Sequence, residues 1–296
     1  MKLEYTVNEN TRHTTVRQVL KCQFGMSDRL ILRLKKAGQI YCNGSAVNAN
    51  FPIHLGDVIT ADISFEEECE NIVSVKMDLD ILYEDEGLLV VNKGANTPVH
   101  PSLNHFEDSL ASGVKYYFDS IGLKRKIRPI NRLDKDTSGI VLFAKNEYIQ
   151  ECLVKQMKTN EFEKEYLALV DGIVTESLQT VVAPIARKDT SIIERCVSND
   201  GDYAETEIEL LDIYANYSLV KCKLKTGRTH QIRVHTKHIG HPILGDTLYG
   251  AASSLISRQA LHAYKVKFIH PITKETLEIT CNPPEDMLKL IDNKTK

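Results

Sequence analysis

The chain has 296 residues, 42 % of them hydrophobic and 26 % charged, with a formal net charge of −3; that is enough to bury a large core with a smaller unit attached. No stretch approaches the ~20 consecutive apolar residues of a membrane span, and Met1-Lys2-Leu3-Glu4-Tyr5 lacks the apolar core of a secretory signal, so the expectation is a cytoplasmic monomer without membrane contact. Seven cysteines, odd in number, widely spread and without a C-x-x-C pair, argue against a disulfide framework and a cysteine zinc site.

The small net charge conceals two opposed segments. Residues 11–48 hold seven Lys/Arg against one acid, Asp28, a net of +6, whereas residues 62–86 hold ten acids against one lysine, a net of −9. The basic segment is the electrostatic footprint of a nucleic-acid contact, hidden in the total by the acidic one.

In chain order, Val16, Val19 and Leu20 share a helical face, and a break follows at Phe24-Gly25-Met26. Ser27 is a good N-cap for a second helix with Leu30, Ile31 and Leu34 at apolar spacing and Arg29, Arg33, Lys35 and Lys36 on its polar face. Gly38 ends that helix, Ile40-Tyr41-Cys42 leads into Asn43-Gly44, a strong hairpin signal, and residues 55–59 close the unit. The order of helix, basic helix, glycine and Ile-x-x-Asn-Gly over Thr11–Ile63 resembles the S4-type RNA-binding domain. The resemblance implies that residues 1–63 lay Arg17, Arg29, Arg33, Lys35 and Lys36 on RNA phosphates, contacts that position a nucleic acid rather than read it.

Residues 64–78, with the acidic run Glu66-Glu67-Glu68-Cys69-Glu70, read as a linker. From residue 79 to 296 strands dominate: Leu88–Asn92 as a buried strand, Ile140–Ala144, Glu165–Val170 ending at Asp171-Gly172, and Val220–Lys225 with apolar residues alternating with lysines. Helices are expected near Glu107–Asp119 and Glu147–Thr159. Together these predict an α+β fold: a mixed, mainly antiparallel sheet with a central cleft, plus the small N-terminal α+β unit.

Two blocks concentrate chemistry. Arg132-Leu133-Asp134-Lys135-Asp136-Thr137-Ser138-Gly139 sets a carboxylate in a turn before a strand, and Thr226-Gly227-Arg228-Thr229-His230-Gln231-Ile232-Arg233-Val234-His235 brings two arginines across a strand–helix junction. A carboxylate at a strand mouth with a guanidinium beside it suits nucleophilic or acid–base work. If Thr229 caps the helix, Arg233 sits one turn inside it.

These blocks, with Leu82–Lys93 plus Pro98-Val99-His100-Pro101, Lys164–Gly172 and Gly240–Gly250, resemble the RluA family of RNA pseudouridine synthases in the same order over about Ile81–Pro284. The resemblance implies isomerisation of specific uridines to pseudouridine in structured RNA, ribosomal or transfer, without cofactor. It gives Asp134 the catalytic role, by attack on the sugar or removal of a sugar proton. Arg132 becomes the wedge that replaces an extruded base, and Tyr166 the ring that stacks on that base and relays a proton. Arg233 becomes the partner that orients Asp134, with Arg228 as its rival and otherwise an RNA contact. Lys93 and His100 read as scaffold. Gly94, Asn96 and Asn131 stand where the family usually has proline, glycine and histidine; they bear on loop shape and substrate rather than reaction type.

Two other readings fail on spacing. Asp136-Thr137-Ser138-Gly139 looks like a pepsin-type signature, yet the second candidate, Gly245-Asp246-Thr247-Leu248, lacks the following glycine. His230, His235, His238 and His241 crowd together but do not follow H-E-x-x-H, so no metal is expected.

Overall fold

The computed structural model describes residues 1–69, 71–101, 107–159 and 161–292; Glu70 of the acidic run and the last four residues lie outside them. The N-terminal unit comprises β1 (Lys2–Thr6), α1 (Val16–Cys22), α2 (Asp28–Lys36), β2 (Ile40–Cys42), β3 (Ser45–Ala46) and β4 (Val58–Asp62), with sheet order β1-β4-β2-β3. Ser27 caps α2, its hydroxyl accepting from the Leu30 amide at 3.1 Å. Val16, Val19, Leu20, Leu30, Ile31 and Leu34 form the buried face. Asn43 and Gly44 both take positive φ, 51° and 80°, as the two-residue hairpin between β2 and β3 requires. Strand β1 is an element the sequence reading did not place: Leu3 is buried and pairs with Ala61, so the first residues close one edge of the sheet.

The larger part contains β5 (Asp80–Glu84), β6 (Leu88–Lys93), α3 (Leu110–Ser120), β7 (Ser138–Ala144), α4 (Glu147–Gln156), β8 (Glu163–Asp171), β9 (Leu178–Val182), β10 (Ile185–Arg187) and β11 (Arg195–Val197), then β12 (Glu205–Ile213), β13 (Tyr217–Leu224), α5 (Gln231–His238), β14 (Leu261–Ile269), β15 (Thr276–Thr280) and α6 (Glu285–Ile291). Its main sheet runs β5-β6-β7-β14-β8-β13-β12-β9, with β15 on β14 and β10–β11 as a separate hairpin. Among the described strands β7–β14 is the parallel pair and the others are antiparallel, the mixed α+β sheet that the strand-rich sequence predicts. Gly139 makes the parallel pair possible: its φ is 114°, and a Cβ there would lie 2.2 Å from the Ala263 carbonyl oxygen.

Period-two alternation assigns the two faces of the sheet. Leu89 and Val91 of β6 join one core with α3, Tyr166 and Ile232, while Leu88 and Val90 join the other with α4. That second core continues into the N-terminal unit through Leu3, Leu30 and Leu34. Polar contacts reinforce the junction: the Ser27 hydroxyl bonds Glu151, and Arg33 bridges Glu147 at 2.8 Å and Glu67 at 2.6 Å. Residues 64–78 are therefore more than a linker. Glu67 is buried and holds Arg128 through two 2.6 Å bonds, because a carboxylate removed from water needs cationic partners on its oxygens. Among the described residues no helix is long and apolar enough to cross a membrane.

Candidate active site

Asp134 lies in a turn just before β7, and the residues after it are fixed in sequence. Lys93, 1 % exposed, donates from Nζ to the carbonyls of Lys135 (2.9 Å), Gly94 (2.7 Å) and Thr97 (2.8 Å). Three carbonyls match an ammonium's three donors, while burial pushes the group down to about 7. Arg258, paired with Asp286 of α6, donates to the Asp136 carbonyl at 3.1 Å; Gln259 reaches Thr137, and Ser138 meets His262 Nδ1 at 2.9 Å. Burial lowers His262 to about 4, and with Nε2 donating to the Cys281 carbonyl at 3.2 Å the neutral ring accepts from Ser138 at Nδ1. Asn131 bonds the Ile140 carbonyl and the Leu142 amide, both at 2.9 Å: the amide that replaces the family's histidine clips β7. Asn96, in the usual glycine position, has φ 61°, a left-handed conformation that asparagine tolerates.

The arginine facing Asp134 comes from α5. Thr229 does not cap this helix; the cap is His230, with φ 59°. The Gln231 side chain organises the junction instead, accepting from the Arg228 amide at 2.9 Å and the Thr226 hydroxyl at 2.7 Å. Arg233 thereby occupies the first turn of α5. It donates from Nη1 to Asp134 at 2.9 Å and from Nε and Nη2 to Asp246 at 2.6 and 2.9 Å. Burial opposes the Arg233 charge, but the hydrogen bonds and charge of Asp246, followed by those of Asp134, outweigh it and raise its pKa. Arg228 points elsewhere, to the Tyr203 carbonyl at 2.9 Å and Asp202 at 3.5 Å. Of the two candidate arginines, Arg233 is the one that reaches Asp134.

Asp246, Tyr249 and His230 were missed as site residues. The Asp246 side chain is fully buried and also accepts from the Leu248 and Tyr249 amides. His230 places Nδ1 2.8 Å from the Tyr249 hydroxyl and Nε2 3.7 Å from Asp134; burial lowers its pKa and keeps it neutral. Asp246 had a signal, standing in a quoted family segment thirteen residues after Arg233. His230 was visible only as one of a group of histidines, and that group is dispersed: His235 bonds Thr206 and the Ala183 carbonyl, while His241 bonds the Asp171 carbonyl.

Tyr166 projects from β8, 6 % exposed, into a small hollow lined by Leu133, Asp134, Leu224, Ile232 and Leu261. Burial, then the Asp134 charge, raises its pKa and keeps the phenol protonated. The hollow adjoins a wider cleft of about 1110 Å³ lined by Arg132, Asp134, His230, Arg233 and Gln259. Arg132 is exposed on that cleft, and His100 is depressed by burial and by the Arg132 charge.

The basic residues of the N-terminal unit divide. Lys35 and Lys36 are exposed, Arg17 pairs with Asp28 at 2.9 Å, and Arg29, its side chain 87 % exposed, lies 3.3 Å from Glu147. Arg33 is occupied by Glu67, Glu147 and the ring of Phe65, 4.1 Å away. Its guanidinium joins the two parts of the chain and is not presented as a phosphate ligand.

Residues 87–238, from β6 to the end of α5, match the family model for RNA pseudouridylate synthase. The chain is 41 % identical over 265 residues to "Uncharacterized RNA pseudouridine synthase YlyB" of Bacillus subtilis (strain 168), covering 88 % of this chain and 87 % of that protein. It is 33 % identical to "Ribosomal large subunit pseudouridine synthase D" of Xylella fastidiosa (strain Temecula1 / ATCC 700964), covering 86 % and 81 %. The solved human RNA Pseudouridylate Synthase Domain Containing 1 superposes with a TM-score of 0.59 at 29 % identity, over 70 % of this chain and 84 % of that one. The fold and the matched residues thus define an RNA-modifying isomerase. The chain belongs to the RNA pseudouridine synthase family, in its RluA-like branch, and isomerises uridine in RNA.

Proposed function

We propose that this enzyme modifies specific uridines of structured RNA, with large-subunit ribosomal RNA first and transfer RNA second, using Asp134 as the catalytic carboxylate. The row Asp134–Arg233–Asp246 carries this reading: a buried carboxylate fixes an arginine by two bonds, through Nε and Nη2, and directs Nη1 to a second carboxylate at the cleft. The choice of ribosomal RNA is supported by the Xylella relative, aligned over most of its length.

The reaction breaks the bond from C1′ to N1 of the base and makes one from C1′ to C5. The proton on C5 leaves and N1 gains one, so substrate and product are isomers and no electron or phosphate donor is required. Asp134 acts as an anion, either attacking C1′ or taking the 2′ proton, and Arg233 aims it. The uridine must first leave its stack, at a cost of a few kcal/mol. Arg132, exposed beside Asp134, fills the gap, and Tyr166 stacks on the extruded base, a contact worth about 1–3 kcal/mol. Because its phenol stays protonated, Tyr166 takes up a proton only by handing its own onward.

Residues 1–63 serve as an S4-type anchor, with Arg17, Arg29, Lys35 and Lys36 toward the phosphates, joined through 64–78 to the catalytic domain, 79–296. Asp134→Asn tests the central assignment. Turnover should fall on the order of 10³-fold, with the RNA dissociation constant nearly unchanged; a variant within tenfold of wild type would remove Asp134 from the mechanism. Mapping pseudouridines in ribosomal and transfer RNA from cells with and without the gene identifies the substrate.

A further inference from the structure

Next to the active site, residues of β10, β11 and the β13–α5 connection form a groove of about 440 Å³, lined by Arg187, Arg195, Asp200, Asp202, Arg228 and Thr229. Its charge arrangement is unfavourable for a protein standing alone. Arg187 and Arg195 are directly opposed across the β10–β11 ladder, and like charges in that relation repel. Among the described residues neither has a carboxylate within salt-bridge distance, and Arg195 Nη1 is buried without a hydrogen-bond partner. Such an orphan calls for an explanation in a folded protein. Arg228 adds a third guanidinium, held by the Tyr203 carbonyl. Two aspartates line the same groove, yet Asp202 meets Arg228 only at 3.5 Å with its side chain 74 % exposed, so an excess of one positive charge remains.

We infer that Arg187, Arg195 and Arg228 form a phosphate site for the RNA backbone, taking a phosphodiester that flanks the extruded uridine. A planar guanidinium offers paired donors that fit phosphate oxygens, and a bound phosphate would relieve the Arg187–Arg195 repulsion. The groove is tied to the chemistry. The Arg195 amide donates to the Tyr249 hydroxyl at 2.8 Å, that hydroxyl meets His230 Nδ1 at 2.8 Å, and His230 faces Asp134. A strand seated here would brace the wall on which His230 and Tyr249 stand. This assignment rests on the RNA reading above, but it does not depend on which carboxylate does the chemistry.

The test measures binding of a hairpin RNA to the full chain carrying Asp134→Asn, with and without Arg187→Gln and Arg195→Gln, over a range of salt. Each substitution should raise the dissociation constant roughly tenfold. Loss of one phosphate contact should also flatten the plot of log K against log salt by about 0.7–0.9. Without RNA, melting of the double variant should be unchanged or improved, since a repulsion has been removed. An unaltered salt slope, or a melting temperature lowered by more than about 4 °C, overturns the proposal, the latter by making the arginines structural. Stabilisation of wild type by inorganic phosphate with RNA binding unchanged in the variants would assign the groove to a free anion and also overturn it. None of these results bears on Asp134, which turnover alone tests.

Discussion

Two arginines in this molecule are each shared by two carboxylates, and they do different work. In α2, Arg33 lies between Glu67 and Glu147, whose side chains are 1 % and 8 % exposed. In α5, Arg233 lies between Asp246, fully buried, and Asp134, 23 % exposed. Where both anions are enclosed, the cluster locks α2 of the N-terminal unit to α4 and the 64–78 segment. Where one anion meets a cleft, the same cluster becomes a mount for a reactive oxygen. Arginine chemistry is common to both; solvent access to one partner separates them.

Among changes that leave Asp134 in place, the largest effect should follow from breaking the mount. Asp246→Asn removes the charge that fixes Arg233, and breaking a buried pair costs about 3–5 kcal/mol. Turnover measured well below the lowered melting temperature should fall on the order of 10²-fold, with the RNA dissociation constant nearly unchanged. Equal turnover would show that Asp134 needs no such mount.

The lock should respond in the opposite currency. Glu67→Gln leaves Arg33 and Arg128 without their shared anion and should lower stability by about 1–3 kcal/mol, while turnover on a small RNA holds. It should also change the acid response. Burial tends to raise the Glu67 pKa, but Arg128 and Arg33 outweigh it and hold the carboxyl below its ordinary 4.5. A depressed carboxyl contributes stability that is complete above about pH 4.5 and is lost as pH falls through the lower folded value. Wild-type melting should therefore drop more steeply in acid than melting of the glutamine variant; parallel curves would exclude Glu67 as the acid-sensitive group. The smallest effect belongs to Arg29→Ala. Its side chain is 87 % exposed and the enclosed Glu147 keeps Arg33 as a closer partner at 2.8 Å, so melting should hardly move, while RNA affinity weakens if this face meets phosphate.

What could be read beforehand follows from the range of the interactions concerned. Ser27 as a cap, the Asn43-Gly44 hairpin and the buried strand at Leu88 depend on neighbours in sequence, and each stands where its local pattern put it. Asp134 and Arg233 were legible as parts of spaced motifs, although the 2.9 Å contact between them was not. The errors lie where distant residues decide. One glutamate among four in the acidic run, Glu67, is buried because Arg33 and Arg128 converge on it, which composition does not encode. Thr229 looks like a cap, but the helix starts one residue later, after His230, and the Gln231 side chain folds back to accept from the Arg228 amide and the Thr226 hydroxyl ahead of it. Arg33 reads as one charge on a basic helix, and only tertiary packing turns it inward. Asp246 was weighed as half of a proteolytic pair, because nothing in Gly245-Asp246-Thr247-Leu248 names an arginine thirteen residues earlier as its partner.

The place of β14 sets the moment at which this enzyme comes into being. The strand lies in the middle of the sheet, between β7 and β8, yet it follows both of them in the chain, at residues 261–269. It accepts Gly139 against its backbone, and Arg258, Gln259 and His262 hold the turn that carries Asp134. A nascent chain that has emerged only as far as Arg233 owns both charged groups but has nothing between β7 and β8 to set them face to face. Long-range closure of this kind is slow and comes after local structure. Asp134 and Arg233 are thus brought face to face only once β14 has paired with both neighbours, and a chain cut before residue 261 should show no pseudouridine formation in a turnover assay.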